Sequence, residues 1–155
     1  MIRIFFVCLG NICRSPMAEA VFRHKAEKRG IESRLLIESA GTGEWHVGHQ
    51  PHEETLKTLR YNHIPAGNMV GKQLNETDVD ADYIIAMDAA NLGYINQMRG
   101  SHTGNEVFRL LDLLPDIPED DVPDPYMTGN FEEVFYLIDQ GCEALLDYII
   151  AKERL

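Results

Sequence analysis

Ile4, Phe5, Phe6 and Val7 form an apolar run with no polar position between them. That pattern belongs to a strand of a parallel sheet whose two faces are both covered by helices. Behind it the spacing turns helical: Met17, Ala18, Ala20, Val21 and Phe22 supply one apolar side. Ser15 can cap this helix, Pro16 suits its first position and Gly30 stops it. Leu35, Leu36 and Ile37 predict a second strand, leading into the loop SAGTGEWHVGHQP. A helix is expected over residues 51–61, opened by Pro51, and a strand over residues 83–87, YIIAM. Asp88 can cap a helix running to about Met98, and residues 107–111 read as a fourth strand.

Residues 112–130 are rich in Asp, Pro and Gly and predict a long ordered loop, a type of segment that often carries function. The last segment is plainly amphipathic. Phe131, Val134, Phe135, Ile138, Cys142, Leu145, Leu146 and Ile149 recur at helical spacing, as a helix lying on a sheet requires. Strands alternating with helices define an α/β fold. The expected architecture is a single domain over residues 1–155, a three-layer sandwich with a central, mostly parallel sheet of about four strands flanked by helices.

Composition narrows the setting. A chain of 155 residues can bury a real core without covalent staples, and three cysteines, an odd number, argue for a reducing compartment. The formal net charge of −11 opposes nucleic acid or an anionic membrane as partner, because no basic face is available to neutralise phosphates. It does not oppose one small anion, which a few backbone N–H groups and an arginine can hold locally. The apolar start is short, is interrupted by Arg3 and is followed by Asn11 and Arg14, so it reads as a strand rather than a targeting segment. A cytoplasmic monomer is expected.

The stretch VCLGNICRSP carries the candidate chemistry. Cys8 precedes Arg14 by a loop of five residues, Leu9, Gly10, Asn11, Ile12 and Cys13, that closes on a helix start at Ser15. Such a loop can turn its N–H groups inward as an anion nest while Arg14 adds a bidentate fork, which makes a seat for a phosphate-sized oxyanion. The same positive field favours a thiolate at Cys8, beneath the anion's centre. Gly10 and Asn11 suit the positive φ that a tight cradle needs. A lone cysteine in an α/β core is usually a small buried hydrophobe, but the Cys-x5-Arg-Ser placement between strand and helix is far more specific. The chemistry it implies is covalent phosphoryl transfer.

CLGNICRSPMAEAVF closely resembles the signature of the low-molecular-weight protein tyrosine phosphatases, and the likeness continues through SAGTGEWHVG, DYIIAMD and DVPDPY. The resemblance implies that Cys8 is the nucleophile, that Arg14 binds the equatorial phosphate oxygens and that Asp124 is the general acid. It also implies that Asn11 and Ser39 bond to hold the loop, with Ser15 assisting the thiolate. No metal or other cofactor is expected. The residues alone leave Asp112, Asp116, Asp120, Asp121 and Asp124 open as the acid. The implied reaction is hydrolysis of phosphotyrosine, in a protein or a small aryl phosphate, through a cysteinyl phosphate.

Trp45 and Tyr126 fall in the two loops that the resemblance places at the pocket mouth, where their faces would sandwich a phenyl ring. Many relatives carry a second tyrosine where this chain has Met127, and some a histidine where Asn62 stands, a side from which Asn11 would be supported. Gly71-Lys72-Gln73 replaces a common Ala-Arg-Gln and is expected to alter packing alone. His46, His49 and His52 form His-x2-His-x2-His, but Gly48 and Pro51 break any helix that would align them on a metal. Cys142 belongs to the apolar stripe of the last helix. Cys13, in the same loop as Cys8, would protect the nucleophile through a reversible disulfide. Two other functions compete: a thiol-dependent arsenate reductase, which needs further cysteines that the stretch between Cys13 and Cys142 lacks, and a phosphotyrosine-binding module without catalysis. Intact Cys8, Arg14 and Asp124 count against the second.

Overall fold

The computed structural model describes residues 1–101 and 104–155. Four parallel strands, β1 (Ile2–Cys8), β2 (Leu35–Gly41), β3 (Tyr83–Ala86) and β4 (Glu106–Arg109), lie in the order β2-β1-β3-β4. Among the described residues five helices accompany them: α1 (Arg14–Lys28), α2 (Glu53–Tyr61), α3 (Ala89–Arg99), the single-turn α4 (Pro125–Thr128) and α5 (Phe131–Glu153). The apolar run of β1 divides by the pleat. Ile4 and Phe6 join Met17, Phe22, Ile138 and Leu145 in a core under α1 and α5, whereas Phe5 and Val7 face Ile84, Val79 and Ile95 on the α3 side. Both faces are therefore covered, and the three-layer α/β sandwich expected from the pattern is the one observed.

Several boundaries differ from the pattern's prediction. Helix α1 starts at Arg14, with Cys13 as its N-cap and no side-chain cap, because the Ser15 hydroxyl is engaged elsewhere. Pro16 still sits in the first turn, where its missing N–H costs nothing. Strand β2 runs on to Gly41 and so carries Ser39. Helix α2 begins at Glu53, capped by His52, whose Nδ1 accepts from the Glu54 N–H at 3.0 Å. Histidine is not a usual cap, so the pattern pointed to Pro51 instead. The fourth strand stops at Arg109, and Leu110 and Leu111 turn into a 3-10 helix (Leu110–Leu113) held by the Asp112 carboxylate on the Arg109 N–H. There Leu110 packs against Gly141 of α5, where any Cβ would lie 2.5 Å from its Cγ.

From β1 the chain moves to one side of the sheet, and from β2 it crosses to the other, so the carboxyl ends of β1 and β3 flank a topological switch point. Ligands of open α/β sheets bind at such a point. Cys8 ends β1 and Asp88 follows β3 there.

Candidate active site

Residues 9–13 join β1 to α1 and fold into a tight loop above the sheet. Asn11 takes the left-handed conformation, φ 57°. Gly10, expected to share it, does not, and its small size serves instead to admit His46, whose Cδ2 would lie 3.1 Å from a Cβ. Gly41 provides clearance on the other side. A Cβ there would stand 2.8 Å from the Leu9 carbonyl oxygen and 3.0 Å from the Asn11 nitrogen. The loop is also stitched to the stretch after β2, the Thr42 N–H donating to the Cys8 carbonyl and the Gly43 N–H to that of Leu9, each at 2.9 Å.

The Cys8 sulfur, only 3% of the residue being exposed, sits at the floor of this loop. The Asn11 N–H points at it from 3.2 Å and the Ser15 hydroxyl lies 3.0 Å away. Asn11 organises the surroundings. Its Nδ2 donates to Ser15 Oγ at 2.8 Å and to Ser39 Oγ at 3.0 Å, and its Oδ1 accepts from the Lys72 N–H at 2.9 Å. A backbone N–H can only donate, which fixes the orientation of the amide. Asn62 takes no part, closing the end of α2 on the Thr58 carbonyl. Lys72 supplies the support through its main chain, and its ammonium is turned to Asp78 at 3.0 Å.

Arg14 leads α1 and is almost fully buried. Its Nη1 donates to Asp88 Oδ2 at 2.7 Å and to the Val122 carbonyl at 2.9 Å, and its Nη2 stands 3.7 Å from Asp124 Oδ2. Burial opposes the Arg14 charge, but Cys8, Asp88 and Asp124 together outweigh it and raise the guanidinium above its ordinary value. Asp124 caps α4, accepting from the Tyr126 N–H at 3.1 Å through Oδ1, which leaves Oδ2 facing the arginine. Of the acidic residues in the long loop, Asp112 and Asp121 are engaged by Arg109, while Asp124 enters the cleft with Cys8.

That cleft, about 620 Å³, is walled by Leu9, Ile12, Trp45, His46, Tyr126 and Met127 above Cys8, Cys13, Arg14 and Asp124. Trp45, Tyr126 and Met127 are 67%, 59% and 80% exposed, so the mouth is open and apolar. Tyr126 leans on the histidines. Its ring centroid lies 6.2 Å from that of His46 and 6.0 Å from that of His52, which in turn stacks on Phe131 at 5.1 Å. His46 and His49 face each other with their Nδ1 atoms 3.4 Å apart. The three histidines thus build a rim, and no group of three or more His, Cys, Asp or Glu among the described residues is placed to hold a metal ion.

The other two cysteines differ. Burial, then the neighbouring Cys8 and Asp124, pushes the Cys13 thiol up to about 12. Cys142 lies in the core between α5 and α1, its sulfur 3.7 Å from the Ala18 carbonyl, and burial likewise raises it. It cannot pass a disulfide outward, as an arsenate reductase would need.

The sequence pattern missed Asp88 as the partner of Arg14, His46 as a cleft wall, and Glu19. The Glu19 carboxylate, buried under β2, accepts from Ser39 Oγ at 2.7 Å and pairs with Arg23 at 2.7 Å. A signal existed: Asn11 in the loop and Ser15, Glu19 and Arg23 in α1 recur every fourth residue, a polar stripe beside the apolar side that Met17, Ala18, Val21 and Phe22 supply.

The fold is a parallel α/β sandwich with a loop carrying Cys8 and Arg14 at its switch point, and comparison with known proteins makes its class specific. Residues 3–155 match the family model of the low molecular weight phosphotyrosine protein phosphatases, so the chain belongs to that family of hydrolases. It is 52% identical to the low molecular weight protein-tyrosine-phosphatase YfkJ of Bacillus subtilis, over all of both chains, and superposes on the YfkJ crystal structure with a TM-score of 0.95, covering 100% of this chain and 98% of that one. It is 48% identical to PtpA of Staphylococcus epidermidis, over 100% of this chain and 98% of that protein. A Drosophila arginine phosphatase, 31% identical, shares the fold with a TM-score of 0.86 over 94% of this chain and 96% of its own.

Proposed function

We propose that residues 1–155 act as one phosphatase domain that hydrolyses phosphotyrosine and other aryl phosphate monoesters through a cysteinyl phosphate. The observation that carries this reading is the Cys8 sulfur, with the Asn11 N–H aimed at it from 3.2 Å and the Ser15 hydroxyl 3.0 Å away, at the floor of a cleft that also holds Arg14 and Asp124. In the first step the Cys8 thiolate attacks phosphorus, the P–O bond to the aryl group breaks, and Asp124 gives its proton to the leaving oxygen. In the second, water attacks phosphorus and loses a proton to Asp124, the P–S bond breaks, and inorganic phosphate leaves the restored thiolate. Arg14 and the loop N–H groups hold the charge of the transferring group in both steps. Asn11, Ser15 and Ser39 keep the loop in shape.

The walls favour an aryl substrate. Leu9, Ile12, Trp45, Tyr126 and Met127 give the mouth apolar and aromatic contact that suits an aryl ring, which supports phosphotyrosine over phosphoarginine, although the fold is shared with an arginine phosphatase. A monomeric, cytoplasmic enzyme completes the reading. Three free thiols suit a reducing compartment, and the net charge of −11 opposes polyanionic partners. Among the described residues no helix is long and apolar enough to cross a membrane.

The test is steady-state hydrolysis of p-nitrophenyl phosphate, phosphotyrosine and phosphoarginine, with Cys8→Ser and Asp124→Ala beside the unaltered protein. Cys8→Ser is expected to be inactive, and Asp124→Ala to lose about 100-fold or more in kcat. Substantial turnover by Cys8→Ser overturns the covalent mechanism, and a higher kcat/KM for phosphoarginine overturns the substrate assignment.

A further inference from the structure

The polar stripe of α1 leads from the surface to the nucleophile, and its hydrogens can be followed one by one. Arg23 Nη2 donates to Glu19 Oε2 at 2.7 Å and to the Ile37 carbonyl at 2.9 Å. Ser39 Oγ gives its only proton to Glu19 Oε1 at 2.7 Å, so its lone pairs are free for Asn11, which donates at 3.0 Å. The second Nδ2 hydrogen of Asn11 goes to Ser15 Oγ at 2.8 Å. Ser15 must then send its own proton elsewhere, and the Cys8 sulfur at 3.0 Å is better placed than the Ala40 carbonyl at 3.5 Å. With the Asn11 N–H at 3.2 Å, the sulfur faces two donors, an arrangement that suits a thiolate and not a thiol.

Resting on the reading of Cys8 as nucleophile, we propose that Glu19 is a positioning residue: its carboxylate takes the Ser39 proton and so keeps Ser39 an acceptor for Asn11, which holds the relay Glu19–Ser39–Asn11–Ser15–Cys8 in the arrangement that lets Ser15 donate to the sulfur. The Lys72 N–H fixes which way the Asn11 amide faces, but the Ser39 hydroxyl can point either way, and Glu19 is the acceptor that turns its proton away from Asn11. Arg23 holds Glu19 in place through the 2.7 Å contact with Oε2. The charged and titratable groups facing the relay are Arg23 at Glu19 and, around Cys8, Arg14 and Cys13, Asp88 at the head of α3 and Asp124 at the head of α4.

The sign of one substitution separates this role from simple electrostatics. Removing an anion from the neighbourhood of a thiolate favours the thiolate, and would move the acid limb of the kcat/KM profile to lower pH. In Glu19→Gln, however, Arg23 draws the amide oxygen to itself and turns the NH2 toward Ser39. Ser39 then accepts from Gln, its bond from Asn11 is contested, and Asn11 is loosened together with the Ser15 donor it positions on the sulfur. The limb moves to higher pH.

The experiment is the pH profile of kcat/KM for p-nitrophenyl phosphate in the unaltered protein, Glu19→Gln, Arg23→Met and the double variant. Glu19→Gln is expected to raise the acid limb by about one pH unit, roughly a tenfold loss near pH 5. Arg23→Met, which leaves Ser39 bonded to Glu19, moves the limb less. In the double variant the amide oxygen is free to turn to Ser39, and most of the loss is recovered, which a merely structural defect would not allow. A limb unmoved or lowered in active Glu19→Gln enzyme, or a double variant as impaired as Glu19→Gln, overturns the relay alone. Absence of Cys8-dependent hydrolysis in the unaltered protein overturns the catalytic reading and the relay with it.

Discussion

Arg14 Nη1 and Asp88 Oδ2 lie 2.7 Å apart across the topological switch point, joining the first residue of α1 to the N-cap of α3. Asp88 does both jobs at once: Oδ1 accepts from the Asn91 N–H at 2.8 Å while Oδ2 holds the guanidinium. The second arm of Arg14 is thereby aimed into the cleft beside Asp124. Asp88→Asn keeps an oxygen for the cap but loses the charge that fixes the arginine. The expected result is about a tenfold fall in kcat/KM and weaker inhibition by inorganic phosphate, with little change in Tm. Asp88→Ala should lose activity and, with the cap also gone, about 1–2 kcal/mol of stability by chemical denaturation. Unchanged phosphate inhibition in Asp88→Asn would show that Arg14 is aimed by the Val122 carbonyl alone.

Trp45 packs on Gly43 so closely that a Cβ there would fall 1.9 Å from the indole Cζ3. Gly43→Ala must therefore push the indole off its seat. Because Trp45 is the only tryptophan, its fluorescence reports on the cleft mouth directly. We expect Gly43→Ala to alter the emission and to raise KM for p-nitrophenyl phosphate several-fold with kcat nearly kept, as loss of an aromatic wall worth about 1 kcal/mol implies. A fall in kcat at constant KM would mean that Trp45 supports the loop rather than the substrate.

Cys13 stands beside Cys8 in the cleft with its thiol pushed up to about 12, so it stays protonated at neutral pH. Peroxide would oxidise the Cys8 thiolate to a sulfenic acid; attack by Cys13 on that sulfur would form the disulfide, with the hydroxyl and the thiol proton leaving as water. Intact mass after brief peroxide treatment should show the loss of two hydrogens, and dithiothreitol should restore activity. Cys13→Ser is expected to gain oxygen instead and to recover poorly. If it recovers as fully as the unaltered protein, Cys13 guards nothing.

The layers and the catalytic loop were legible in the sequence because each rests on local chemistry. An unbroken apolar run needs cover on both faces, and Cys8 and Arg14 are tied together by one short loop. Asp124 was legible by likeness alone, since five aspartates in one loop look the same until one of them caps α4 and turns its free oxygen to Arg14. Asp88 looked like a helix cap and is one; its second oxygen meets a residue 74 positions away, which no local pattern encodes. The histidines were read as failed metal ligands because polar spacing says nothing of ring contacts: His46 and His52 lie against Tyr126, His52 stacks on Phe131, and His49 faces His46. Ser15 was read as a cap from its place in the chain and as an aid to the Cys8 thiolate, and only the first reading gives way. The cleft claims its hydroxyl for Cys8 and Asn11, and α1 starts without it.

Burial of Cys13 and Cys142 has a consequence for stability in alkali. Both thiols are raised above the ordinary 9.0, Cys13 to about 12, and burial is the first cause in each. Below pH 9 both folded and unfolded chains keep these protons, and the thiols add nothing to the pH dependence. Between about 9 and 12 the unfolded chain releases them while the folded one holds them, so the unfolded state binds fewer protons and stability falls as pH rises. The Tyr83 hydroxyl, raised by burial and by its bond to Glu153, adds to the same slope above 10.0. The urea midpoint is therefore expected to be level from about pH 7 to 9 and to drop steeply beyond it. Cys142→Ala should flatten the alkaline slope even though the cavity it leaves lowers the whole curve, which separates the proton effect from the packing effect. An equally steep slope in Cys142→Ala would assign the alkaline loss to Cys13 and Tyr83.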